Sequence, residues 1–213
     1  MTTARARARA ETTRAILDEA RRQLAEHGAA GLSLRSVARE VGMVSSAVYR
    51  YVANRDDLLT QLIVAAYDAM GAVAEEARDP EDPPRVQWRV VWRAVRAWAL
   101  AHPAEFALIH GSPVPGYAAP PETITAAARL GSVLVAIVVE HGGGVDGPRG
   151  LVVDDVLPGL DPGTAPALVA AWTQLVGTVA FELFGQYENV VIDRAAYLDH
   201  VADVAATSVG LPA

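Results

Sequence analysis

The chain has 213 residues, 52% hydrophobic and 20% charged, the composition of a folded globular protein with a sizeable core and not of a disordered one. It has no cysteine, which excludes disulfides, thiolate nucleophiles and cysteine-based zinc sites together. Its net charge of −7 argues against a nucleic-acid partner, but residues 1–55 carry ten arginines against five acids, while the other 158 carry eight against twenty.

Residues 2–10 read TTARARARA, without the apolar stretch of a signal peptide, so a cytoplasmic protein is expected. The arginines suit a frayed, solvated terminus. The second reading is a basic arm along DNA phosphates or in the minor groove. A first helix is expected over Ala10–His27, with Ile16, Leu17, Ala20 and Leu24 on one face and charged residues on the other. Gly28 ends it.

Leu32–Leu59, LSLRSVAREVGMVSSAVYRYVANRDDLL, carries the most specific pattern. Ser33 suits the N-cap of a short helix whose apolar stripe is Val37, Ala38 and Val41. Gly42 supplies the left-handed stop. A second short helix is expected over about Ser45–Tyr51, with Ser45 capping it because Val44 has no capping group. Asn54 suits the cap of a third, with Asp56 and Asp57 in its first turn. Two short helices about a glycine-containing turn form a helix-turn-helix.

This stretch resembles the DNA-binding domain of the TetR/AcrR family of transcriptional regulators, through Val37-Ala38, Gly42, Tyr49-Arg50-Tyr51-Val52, Arg55, Asp56-Asp57 and Leu58-Leu59. Val44, Val52 and Arg55 stand where that family usually has Ser or Thr, an aromatic residue and Lys. The resemblance implies an all-α fold. An N-terminal three-helix DNA-binding domain with its helix-turn-helix would occupy residues 1–55. A larger helical ligand-binding and dimerisation domain would occupy residues 56–213. Further on, Trp172–Phe184, with Gly177 and Phe181-Glu182-Leu183, resembles the WHG type of C-terminal domain, although Val176 stands where that type often has His. The implied partners are a double-stranded operator, a small-molecule inducer and a second copy of the chain.

A lone recognition helix reads few base edges, so specificity demands a two-fold pair with half-sites about 34–36 Å apart. Arg50 is the candidate reader of guanine. Ser45, Ser46 and Ala47 lie at the helix N-terminus, near phosphates or base edges, Ala47 offering only a methyl group. Ser33, Arg35, Tyr49, Tyr51 and Arg55 are candidate phosphate contacts, and partial core packing is the other reading of both tyrosines.

Arg55–Arg78 continues as a long helix with Leu58, Leu59, Leu62, Ile63, Ala66, Met70 and Val73 at helical spacing. It starts in the basic head and ends in the acidic body. Asp79–Pro84, with three prolines, breaks it. Helices are then expected over Arg85–His102, Ala104–His110 and Glu122–His141, with a loop over residues 111–121. Residues 142–166 combine glycine and proline with apolar residues, which suggests a packed excursion. Thr164–Tyr187 is the most apolar segment, and the uncharged run Pro162–Phe181 is long enough to raise a membrane span, but its two prolines, two glycines and lack of a basic flank favour a helix buried between its own core and a partner subunit. A last helix follows over Asp193–Val209, with Tyr197, Val201, Val204 and Ser208 on a stripe. The homodimer is expected through the helices at about 164–187 and 193–209, with no membrane involved.

Trp88, Trp92, Phe106, His110, Tyr117, Leu134 and Trp172 are the candidate ligand-binding residues, since pockets are mostly apolar with a few placed polar groups. Simple core packing is the alternative for the tryptophans. His110 lacks ligand spacing for a metal, so no metal and no cofactor is expected. No catalytic triad, phosphate loop or paired catalytic carboxylates stand out, so no enzyme is expected. The alternative to a ligand-responsive repressor is a helical ligand sensor or scaffold without specific DNA binding.

Overall fold

The computed structural model describes residues 4–153 and 156–212. Among these, every regular element is helical: α1 (Ala4–His27), a 3-10 turn (Ala29–Gly31), α2 (Leu34–Glu40), α3 (Ser45–Val48), α4 (Arg55–Ala77), α5 (Pro84–Ala101), α6 (Pro103–His110), α7 (Thr123–Glu140), α8 (Ala165–Leu183) and α9 (Arg194–Ser208). The all-α expectation holds.

The helices assemble into two compact units. One comprises the residues up to Ala66 with His102–Thr123; the other comprises Tyr67–Ala101 with the residues from Ile124 onward. This partition differs from the expected division between residues 55 and 56. The reason is that α6 and its following loop join the first unit: Leu108, Val114 and Tyr117 pack on its core, and Arg21 Nε donates to Glu105 at 3.2 Å. The helix α4 contributes residues to both units.

In the first unit, α1 starts six residues earlier than expected, so Ala4–Arg9 is helical and not a frayed arm; residues 1–3 lie outside the described residues. The alternating alanines are the best helix formers. Ile16 and Ala20 enter the core beneath α2 and α3, with Val37, Val48 and Leu59. Ser33 caps α2, its hydroxyl accepting from Ser36 N at 3.4 Å. Gly42 follows with φ 71°, the left-handed conformation that lets Met43 N return to the carbonyl of Ala38 at 2.8 Å. A reciprocal cap opens α4: Asn54 Oδ1 accepts from Asp57 N at 2.9 Å, and Asp57 Oδ2 accepts from Ala53 N at 2.6 Å.

In the second unit, α5 lies along α8 and α9. Trp88 is buried, donating its indole N–H to the carbonyl of Ala202 at 3.0 Å, with the Trp92 ring 6.0 Å away. Three arginines at successive turns of α5 fasten it: Arg89 to Asp203 (2.7 Å), Arg93 to Asp199 (2.6 Å) and Arg96 to Glu182 (2.6 Å). The later turns of α4 are held to α7 by Arg129, which donates to Asp68 Oδ1 and Glu75 Oε1, each at 2.9 Å. Gly71 allows that approach, since a Cβ there would stand 2.7 Å from Arg129 Cβ.

In α8 the buried side is Leu168, Ala171, Leu175 and Val179, while Trp172 is exposed. One expectation for this unit needs correction. In the 142–164 segment, Leu151, Val153 and Val156 are exposed, so the excursion does not pack those residues down; residues 154 and 155 lie outside the described residues. By length and composition alone, α4, α7 and α8 are apolar enough to cross a membrane.

Candidate nucleic-acid interface

The helix α3 has four residues, shorter than the expected Ser45–Tyr51, so its presentation depends on how its two ends are held. At its N-terminus the capping position is Val44 and not Ser45, and the valine makes no side-chain cap. Val44 is instead 71% exposed, beside exposed Ser45 and Ser46. Ala47 turns inward with Val48 and is buried, so it does not offer the methyl contact expected of it.

At the other end the side chains of Tyr49 and Arg50 are exposed. The Arg50 carbonyl accepts a hydrogen bond from the Arg9 guanidinium at 3.0 Å. The same guanidinium lies 5.2 Å from the centre of the Tyr51 ring, within cation–π range. Tyr51 is partly buried against the core, in keeping with the packing reading, whereas Tyr49 is not.

The supporting residues are less uniform. Arg35 is exposed on α2. The hydroxyl of Ser33 is engaged as a cap. Arg55 donates to the carbonyl of Ala29 at 2.7 Å and so ties the start of α4 to the 3-10 turn. Its expected phosphate contact would have to share the guanidinium with that bond.

The electrostatics separate the arginines by location. Among the described residues, Arg5, Arg7, Arg14, Arg35 and Arg50 form no ion pair with a carboxylate. In the second unit, Arg78, Arg89, Arg93, Arg96, Arg129, Arg149 and Arg194 all do. Arg85, the remaining arginine there, spends its donors on the carbonyls of Leu211 and Pro212 and on Thr207. Positive charge without a carboxylate partner is therefore concentrated in the first unit, on α1, α2 and the turn after α3.

The expected ligand residues are not brought together within either unit. Trp88, Trp92 and Leu134 are fully buried in the second unit, where Trp172 is 42% exposed. Phe106, His110 and Tyr117 belong to the first. There Phe106 is buried 5.0 Å from the His110 ring, and Tyr117 shares a 2.9 Å hydrogen bond with Thr60. Burial pushes the His110 imidazole down to about 4. The indole N–H of Trp92 is buried without a hydrogen-bond partner among the described residues.

Sequence reasoning missed two residues. Arg9 was grouped with a terminal arm, and only the fold brings it to α3. Val44 has no capping group, and only the fold shows its side chain exposed beside the serines.

Comparison with known proteins supplies the remaining evidence. A family model for bacterial regulatory proteins of the tetR family matches residues 16–62, and one for a tetracyclin repressor-like C-terminal domain matches residues 88–205. An HTH-type transcriptional regulator of Mycobacterium tuberculosis is 41% identical over 202 residues, covering 84% of each chain. The crystal structure of the regulatory protein SCO4313 is 30% identical, with a TM-score of 0.82 over 96% of this chain and 100% of that one. A TetR variant from Acinetobacter baumannii, solved with minocycline, shares the fold at 16% identity, with a TM-score of 0.58 over 90% of this chain and 92% of that one.

Proposed function

The chain belongs to the TetR family of bacterial transcriptional regulators, and from that premise we propose a specific working mode: a cytoplasmic homodimer that represses from a palindromic operator and is released by a small apolar molecule. It is a ligand-responsive, DNA-binding regulator, and its family is one of regulators and not of enzymes. The observation that carries the DNA-binding mode is the exposed Arg50 directly after α3, in a unit whose α1 and α2 carry further arginines without a carboxylate partner. Arg50 is the guanine reader; Ser45, Ser46, Tyr49 and Arg35 hold phosphates and set register, and Val44 supplies an apolar contact for a thymine methyl.

The dimer forms through α8 and α9. Trp172, Phe181, Phe184, Tyr197 and Val204 are large apolar side chains 38–52% exposed on these two helices. Pairing copies through them buries that surface and gives the two-fold symmetry that a palindrome requires.

The inducer occupies the helical body near Trp88, Trp92 and Leu134, with the Trp92 N–H as a donor. The minocycline complex of the Acinetobacter TetR variant supports a small-molecule site in this fold. The signal travels along α4, which contributes residues to both units. A hundredfold loss of DNA affinity requires about 2.7 kcal/mol of coupling, within the usual range for allostery.

The test is selection of a duplex from a random library with the full chain, followed by titration at several salt concentrations and a compound screen for release. A palindromic consensus bound by a dimer, with a steep negative salt slope, supports the reading. Binding without preference over random DNA sinks it, as does a monomer at the operator. Replacing Arg50 by Ala should relax preference at one base pair of each half-site.

A further inference from the structure

We propose that the first two turns of α1 form a second DNA-contacting element, in which Arg5 takes a phosphate flanking the half-site while Arg9 locks the helix to the turn after the recognition helix. The inference rests on the DNA-binding reading above and adds a contact outside the helix-turn-helix.

Ala4–Arg9 is helical and continuous with the core-anchored part of α1, so its side chains have fixed directions. Arg9 is committed inward, through its bond to the Arg50 carbonyl and its place over Tyr51. Arg5 lies four residues earlier, on the same flank and about 6 Å further out. It is exposed and forms no ion pair among the described residues. Arg7 is two residues from each, about 200° round the helix, and so is directed to the opposite flank. Arg14 shares the flank of Arg7.

This arrangement is unfavourable for the protein alone. Like charges four apart repel on a helix, and Arg5 and Arg9 form such a pair with no carboxylate on either. A phosphate beside Arg5 offsets the repulsion. The occupant is the backbone of the duplex that α3 reads, because the latch of Arg9 onto Arg50 makes this flank continuous with the recognition surface. The interleaved alanines at positions 4, 6, 8 and 10 keep the helix slim enough for close approach.

The flanks give an internal control. The full chain and its Arg5→Ala, Arg7→Ala and Arg5→Lys variants are titrated by fluorescence anisotropy against the duplex selected by the wild type, and against an unrelated duplex of equal length. Arg5→Ala should flatten the slope of log affinity against log salt by about 0.9 per subunit, the signature of one lost phosphate contact. Arg7→Ala should leave that slope unchanged, and Arg5→Lys should retain it. Both alanine positions are exposed, and circular dichroism checks the helix. Equal flattening by the two alanine variants would overturn the proposal in favour of a diffusely charged tail. No effect of Arg5→Ala would overturn it outright, with the regulator reading intact because the wild type still prefers its duplex. Loss of that preference in the wild type would sink both.

Discussion

The guanidinium of Arg9 donates to the main-chain carbonyl of Arg50 at 3.0 Å, so a residue 41 positions earlier ties down the turn that follows α3. The carbonyls of Ala47 and Val48 already accept from the amides of Arg50, Tyr51 and Val52, and Arg9 fastens the next carbonyl along. A cation there is favoured by the dipole as well as by the bond. Arg9→Ala should therefore loosen the recognition helix, with a loss of about 1–2 kcal/mol in operator binding. The loss should be larger on the operator than on unrelated DNA, measured by anisotropy on both duplexes. Equal losses would reduce Arg9 to bulk charge.

Val44 sets stability against recognition. Its N-cap position wants a side-chain acceptor, and Val44→Ser should raise thermal stability by up to about 1 kcal/mol by supplying one. The same change removes two exposed methyl groups from the leading end of α3. If those methyls meet thymine in the groove, operator affinity should fall while stability rises. Calorimetry and a binding titration on one preparation read both. A variant gaining stability and keeping its affinity would make Val44 a neutral surface residue.

Local chemistry was legible in the sequence, and packing between distant segments was not. Ser33, Gly42 and Asn54 were identifiable because caps and left-handed turns depend on residues a few positions apart. The burial of Ala47 had no local signal, because a four-residue helix is too short for periodicity to say which side faces the core. The uniformly apolar sequence of α8 also does not say which side meets the core. Ala171, a small residue that suits a close helix contact, takes the inner place, and Trp172 is left outside. The latch of Arg9 had no sequence signal beyond charge. Nor did the joining of α6 to the first unit, which rests on contacts between residues more than forty apart, such as Arg21 with Glu105 and Thr60 with Tyr117.

The arginine ladder of α5 should be energetically uneven. Arg96 and Glu182 are 22% and 6% exposed and meet through two hydrogen bonds, of 2.7 and 2.6 Å. Arg93 and Asp199 are 56% and 28% exposed. Removing one member of the inner pair strands a largely desolvated charge, so Glu182→Ala should cost about 3 kcal/mol. Asp199→Ala, at the wetter pair, should cost under about 1 kcal/mol. Urea unfolding of the two variants measures the difference. Equal costs would mean that water reaches Arg96 as readily as Arg93.

His110 should make the first unit sensitive to mild acid. Burial holds its imidazole at about 4, below the 6.5 of an exposed histidine, so the folded state binds its proton more weakly than the unfolded state. The stability tied to the neutral ring is fully present above pH 6.5 and is lost as the pH falls towards 4. By pH 5 the loss should reach about 2 kcal/mol from this group alone. Glu19, Glu75, Asp161 and Asp199, each held below its usual value, add losses only at lower pH. Urea unfolding at pH 7 and pH 5 should show the drop in the wild type and a much smaller one in His110→Gln, whatever the absolute stability of that variant. A wild type equally stable at both pH values would mean that the ring is hydrated and titrates as an ordinary histidine.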